Sequence, residues 1–196
     1  MPFITPLPDD AIDENVRAMY ARQEAHWGFV PNYAKVFCYR PEVMGLWAAL
    51  QAGIKRHMER RRFELVTFAA AQALRSTCCS LAHGRALTTF FSDEDVLKIA
   101  RHEHTDSLSP AEVEMMRFAR QVAHDAPNVS ASDVDRLLAH GFSHAEIFDI
   151  AATAAARAFW TKLIESLGVA AEPSLLAMDD ELKTALVVGR PIGFDS

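Results

Sequence analysis

The sequence predicts an all-α fold. Three observations carry that reading. Apolar residues recur at three- and four-residue spacing in segment after segment, no segment alternates apolar and polar residues over a strand's length, and four serines each stand three residues ahead of an acid at the head of an apolar run.

The elements follow in order. Residues up to about Ala11, with Pro2, Pro6 and Pro8, read as an extended arm that lies over the domain or a neighbouring subunit. From Asp13, Val16, Met19 and Tyr20 keep helical spacing as far as Trp27, and Gly28 ends the run. Pro31-Asn32 restarts the chain into a short helix through Tyr33, Val36 and Phe37. Pro41 suits a first helical turn, and Val43, Met44, Leu46, Trp47, Leu50 and Ile54 continue a long amphipathic helix into the basic cluster His57 to Arg62. The next segment, from about Arg61 to Leu74, is apolar nearly all round, which marks it as central, and its alanines let neighbouring helices come close. Glu64 stands near its start. There it either faces solvent as a complement to the helix dipole or points inward, where a carboxylate needs a partner.

A helix through Cys79 and His83 then runs to about Phe91. Ser92 with Asp95, Ser109 with Glu112 behind Pro110, Ser130 with Asp133, and Ser143 with Glu146 open four more helices. The last of these runs from about His144 to Leu167 through the alanine-rich stretch Ala151 to Ala158, and Gly168 stops it. Pro173 opens a short closing helix, and from Val187 the chain reads as extended.

Composition narrows the function classes. The 196 residues are half apolar, enough for one well-buried core, and predict one domain over 1–196 with 1–11 as its arm. Twenty Lys and Arg against 26 Asp and Glu leave a net charge of −6. The longest basic run is Arg60-Arg61-Arg62, so the electrostatic footprint of a nucleic-acid binder is missing. No stretch of eighteen apolar residues and no basic region followed by a long apolar one is found, which predicts a soluble, cytoplasmic protein without membrane contact. Cys38, Cys78 and Cys79 are odd in number and unevenly spaced, unlike a secreted disulfide framework. Trp27, Trp47 and Trp160 read as core or subunit-contact aromatics.

The chemistry concentrates in Arg75-Ser76-Thr77-Cys78-Cys79-Ser80-Leu81-Ala82-His83. Cys79 and His83 are four residues apart and share a helix face, on which Ser76 also falls. A helix opening at Ser76 or Thr77 holds Cys79 in its first turn, where free backbone N–H groups and the positive dipole end favour a thiolate. With His83 as base and Glu64 as orienter, these are the parts of an activated thiol. The plainer alternative is a buried, inert cysteine beside a satisfied histidine. Cys78, Cys79, His83 and Glu64 are also zinc-ligand types, but adjacent cysteines seldom both reach one ion, and no metal or cofactor is expected.

Glu64, then Cys79 and His83 as C-x-x-x-H with Ala82 before the histidine, resemble the core of the alkyl hydroperoxidase-like (AhpD-like) branch of the carboxymuconolactone decarboxylase superfamily. That pattern is a glutamate, C-x-x-C, and a histidine four residues on. Glu64 lies twelve residues before Ser76, as the family glutamate lies before the first cysteine, and Ser76 stands in that cysteine's place. Pro6-Leu7-Pro8, Gly28-Phe29-Val30-Pro31-Asn32 and Pro41-Glu42 resemble the peroxidase-related members.

The resemblance implies a multi-helix AhpD-like bundle and a thiol-dependent hydroperoxide reductase without cofactor. Cys79 would be the peroxidatic thiol and His83 with Glu64 the proton relay. The partners implied are a small hydroperoxide, an external thiol reductant, and further copies of the chain in a trimer or hexamer. Ser76 cannot resolve a sulfenic acid, though it can hold a thiolate or position a peroxide. Cys78 is a possible resolving thiol, against which stand the roughly 100° between successive helix residues and the strained ring of an adjacent-cysteine disulfide. Cys38 could resolve only if folding brings it near. The rivals are an acid/base enzyme acting on a small carboxylated lactone, in which His83 and Glu64 matter and Cys79 does not, and a non-catalytic oligomeric ligand-binding protein. Catalysis by this group requires Glu64, Cys79 and His83 to surround one hollow reachable by solvent.

Overall fold

The computed structural model describes residues 2–192. Ten α-helices follow one another, and among the described residues there is no strand: α1 Glu14–Trp27, α2 Asn32–Val36, α3 Pro41–Lys55, α4 Arg60–Ala73, α5 Thr77–Leu87, α6 Asp93–Ala100, α7 Pro110–Asp125, α8 Ala131–Ala139, α9 His144–Ser166 and α10 Asp180–Leu186.

Helix α4 is the axis. Every residue from Phe63 to Gln72 is buried, and it packs against α5, α7 and α9. Two apolar clusters meet across it. The larger joins Phe68 with Leu81, Met115, Met116 and Ile150, and the smaller gathers Val16, Met19, Phe37, Cys38 and Met44 with Ala71, Cys79 and Trp160. Each large side chain so buried contributes about 1.5–3 kcal/mol. Helix α5 lies at the seam, with Leu81 in one cluster and Cys79 in the other.

The serine signals hold where the sequence places them. Ser92, Ser109 and Ser143 each accept the N–H of the acid three residues on, at Asp95, Glu112 and Glu146. At Ser130 the backbone N–H and the hydroxyl both donate to the Asp133 carboxylate. Gly28 closes α1 at φ 80°.

Four boundaries differ from the sequence reading. Helix α3 ends at Lys55 rather than in the basic cluster, because Glu59 accepts from the N–H groups of Arg61 and Arg62 and starts α4 afresh. Helix α5 stops at Leu87, where the hydroxyls of Thr88 and Thr89 donate back to the carbonyls of Arg85 and Ala86. The closing helix at Pro173 is one 3₁₀ turn, Pro173–Leu176. A separate helix, α10, follows behind Asp179, which caps Glu181 and Leu182. It is too short for periodicity to reveal. The tail is non-helical from Val187 to Ile192, and its remainder lies outside the described residues.

The arm lies along its own chain. Phe3 N–H donates to the Leu167 carbonyl at 2.8 Å, Leu7 N–H to Cys38 Sγ at 3.3 Å, and the Tyr39 hydroxyl to the Thr5 carbonyl at 2.6 Å.

Candidate active site

The α4–α5 turn sets up the site. Arg75 takes the left-handed conformation, φ 54°, and the N–H groups of Arg75 and Ser76 close on the carbonyls of Gln72 and Ala71. This is a Schellman ending in which arginine replaces the usual glycine. It delivers Ser76 to the N-cap of α5, where its hydroxyl accepts from Cys79 N–H at 3.4 Å and donates to Glu165 at 2.6 Å. Ser76 is fully buried. Cys79 is thus the third residue of α5, in the first turn, as the sequence reading required.

The sulfur is held from α9. Thr161 Oγ1 lies 3.5 Å and Arg157 Nη1 3.8 Å from Cys79 Sγ, both as donors. No hydrogen bond joins the sulfur to His83. One turn along α5, His83 Nδ1 is 2.7 Å from Glu64 Oε2, so the glutamate does point inward and finds its partner. The three predicted groups lie on two neighbouring helices, with the acid and imidazole as a pair and the thiol beside them.

The charges of that pair can be assigned. Burial pushes the Glu64 carboxyl up, but the His83 hydrogen bond, with the charges of His83, Lys55 and Arg157, outweighs it and leaves the carboxyl below its usual range. Burial and then the Arg157 charge push His83 down, against the pull of Glu64. Both directions describe an ionised carboxylate accepting from Nδ1–H of a neutral imidazole, which leaves the lone pair on Nε2. Burial, the neighbouring Cys79, and then Glu165 and Glu172 push the Cys78 thiol well above the ordinary thiol range.

Arg157 and Thr161 escaped the sequence reading, as did Glu165 one turn further on. They recur at four-residue spacing along α9 and form one face. The available signal was the one that singled out Glu64: a charged residue inside an otherwise apolar run, here Ala151 to Ala158.

Access differs across the site. The side chains of His83 and Glu64 are 16% and 11% exposed, while Cys79 is 3% exposed. Solvent therefore meets the acid–imidazole pair and is kept from the sulfur. Surface hollows of about 390 and 400 Å³ lie elsewhere, one beside Leu7, Cys38 and Arg40 and the other beside Arg61, Phe91 and Asp95. Among the described residues no three His, Cys, Asp or Glu side chains converge as ligands for an ion.

No family profile matches the sequence, and no curated protein matches it. Solved structures do. An uncharacterised peroxidase-related protein from Ralstonia eutropha JMP134, described as an alkylhydroperoxidase AhpD core, superposes at a TM-score of 0.78, with 21% identity over 90% of this chain and 95% of the other. A peroxidase-related protein from Silicibacter sp. TM1040 gives 0.76, with 16% identity over 90% and 95%. A cysteine-to-alanine variant of the debrominase Bmp8, bound to 2,3,4-tribromopyrrole, gives 0.73, with 18% identity over 91% and 96%. The chain therefore has the AhpD-like all-α fold, as the motif resemblance implied.

Proposed function

We propose that this chain is a thiol-dependent reductase of small hydroperoxides, with Cys79 as nucleophile. The observation that carries the reading is the setting of its sulfur. It lies in the first turn of α5, takes donors from Arg157 and Thr161, and stands one helical turn from a histidine whose Glu64 partner leaves Nε2 free to act as a base. The Cys79 thiolate attacks the outer oxygen of the hydroperoxide, the O–O bond breaks, and the departing alkoxide takes a proton to leave as the alcohol. Cys79 is then a sulfenic acid, which one external thiol converts to a mixed disulfide with loss of water, and a second releases as the free thiol. We assign resolution to an external thiol because Ser76 lacks a sulfur and Cys78 is held protonated. The peroxide enters on the His83 side, where the site meets solvent. The likeness to a debrominase adds halogenated rings to the electrophiles worth presenting to the same thiol.

A second reading has an observation of its own: the Glu64–His83 pair makes no hydrogen bond to the sulfur, so acid/base turnover of a small carboxylated lactone would not need Cys79. Cys79→Ser decides between them. Under the first reading it abolishes hydroperoxide turnover and the oxygen adduct seen by intact mass spectrometry after stoichiometric peroxide. Retention of either would overturn that reading. His83→Gln should slow turnover by about 10²–10⁴-fold. We further propose that the chain works as a homo-oligomer, on the apolar surface that α3 and α9 present.

A further inference from the structure

Arg157 is buried, 7% exposed, yet makes no ion pair among the described residues. The less buried Arg61 and Arg62, at the head of α4, do find carboxylates, Glu112 at 2.8 Å and Glu146 at 2.5 Å. The ionised Glu64 is near enough for the two charges to act on each other, but no hydrogen bond joins them, and a buried guanidinium left without a direct partner is costly.

The two carboxylates of the site are already engaged. Glu64 is taken by His83, and Glu165 accepts from Ser76 and lies 3.7 Å from Arg190. What Arg157 touches is the sulfur, through Nη1, and the Trp47 ring, 5.9 Å from its carbon centre. Its Nε is buried and has no hydrogen-bond partner. A fork with one arm on the nucleophile and a second donor unused is the geometry that seats a carboxylate or similar oxyanion against a reacting thiol.

We propose that the site selects negatively charged substrates, with Arg157 drawing in and holding their anionic group beside Cys79. This rests on the reading of Cys79 as the nucleophile and narrows its substrates to acids, such as a hydroperoxide that carries a carboxylate. Trp47, half-buried and stacked on Trp160 at 4.8 Å, provides the apolar wall against which the rest of a small molecule lies.

The test compares two alkylating agents of similar size, iodoacetate, which is anionic, and iodoacetamide, which is neutral. Both react with the same thiolate, so the ratio of their rates at Cys79 is independent of how much thiolate is present and reports the charge preference alone. Site-resolved tandem mass spectrometry separates Cys79 from Cys78. The expected iodoacetate-to-iodoacetamide ratio at Cys79 is about fivefold or more above that of glutathione under the same conditions. Arg157→Gln should bring it down to the glutathione value, and Arg157→Lys should keep most of the preference. The wild-type comparison needs no variant and decides the matter even where Arg157→Gln fails to fold. A wild-type ratio equal to that of glutathione, with Cys79 still labelled, or an unchanged ratio in folded Arg157→Gln, overturns the inference and leaves the thiol reading intact. No labelling of Cys79 by either reagent and no oxidation by peroxide overturns both.

Discussion

Ser76 occupies the position where the AhpD-like pattern has a cysteine, and it does two things there that a cysteine does less well. It caps α5 and it donates to Glu165 Oε1. Ser76→Ala removes both and should cost about 1–2 kcal/mol in urea unfolding, the usual loss of a helix cap. Ser76→Cys should change the chemistry as well, so that peroxide treatment closes an internal disulfide with Cys79 and the mixed disulfide with added thiol no longer accumulates in non-reducing mass spectra. The Glu64–His83 pair makes a prediction in pH. As pH falls through 6.5, the ordinary histidine value, the unfolded chain takes up a proton that folded His83 refuses, so stability declines. As it falls further, through 4.5, unfolded glutamates protonate while folded Glu64 holds its charge, and stability declines again. Melting temperature should therefore drop from neutral pH downward, and His83→Gln should flatten the upper part of that slope. An unaltered slope would mean that other groups carry it. That Cys79 and His83 share a helix face was legible from their four-residue spacing, and Glu64 drew notice as a carboxylate inside an apolar helix at the distance the resemblance implied. Arg157 was not legible, because which neighbour α9 turns toward α5 is decided by packing between residues some eighty positions apart.

At the scale of elements, helix starts were legible and helix ends were not. A start is written in one side chain, as at Ser109 or Ser143, whereas an end depends on what the chain meets next. The α4–α5 turn is the clearest case. Nothing local marks Arg75 as left-handed, and its conformation is supported by the segment after α10, where Val188 accepts from Arg75 Nε at 3.2 Å and Gly189 N–H donates to Thr77 at 3.1 Å. This segment straps the turn that holds Ser76 and Cys79 in place. The strap must be a glycine at its closest point, since a Cβ on Gly189 would lie 1.8 Å from the Arg75 carbonyl oxygen. That contact is with backbone and cannot be relieved by a rotamer change. Gly189→Ala should lift the strap and destabilise the protein by about 1–3 kcal/mol, the range for overpacking. Amide hydrogen exchange should rise at Ser76, Thr77 and Cys78 before it rises in α7. Equal protection in the variant and the parent would show that the turn stands without its strap.

At the scale of the whole molecule, the apolar surface is unevenly distributed. Helix α9 presents Phe148, Ala152, Ala155 and Phe159 at spacings of four, three and four, a single stripe in which Phe148 is 71% and Phe159 49% exposed. Helix α3 packs beside it. The Trp47 ring lies 5.8 Å from that of Phe159, and Leu50, one turn from Trp47, is 50% exposed. Leu46, 71% exposed, extends the same helix surface. Scattered exposed leucines and phenylalanines need no explanation, but a stripe on one helix edged by the next is the form that a subunit contact takes. The face includes Trp47, whose ring lies 5.9 Å from the Arg157 guanidinium that reaches Cys79, so a second copy seated there would bear on Trp47 and hence on Arg157. If the chain assembles through this face, sedimentation equilibrium should return a multiple of the 21.8 kDa chain mass. The double substitution Leu50→Asp, Phe159→Asp should return the single-chain mass, with thermal unfolding otherwise cooperative, because both side chains already face outward. The same variant should also alter the rate at which Cys79 is alkylated, since a second copy would no longer press on Trp47 and, through it, on Arg157. A wild-type chain that sediments as a monomer at micromolar concentration would rule the contact out and leave the stripe as plain surface.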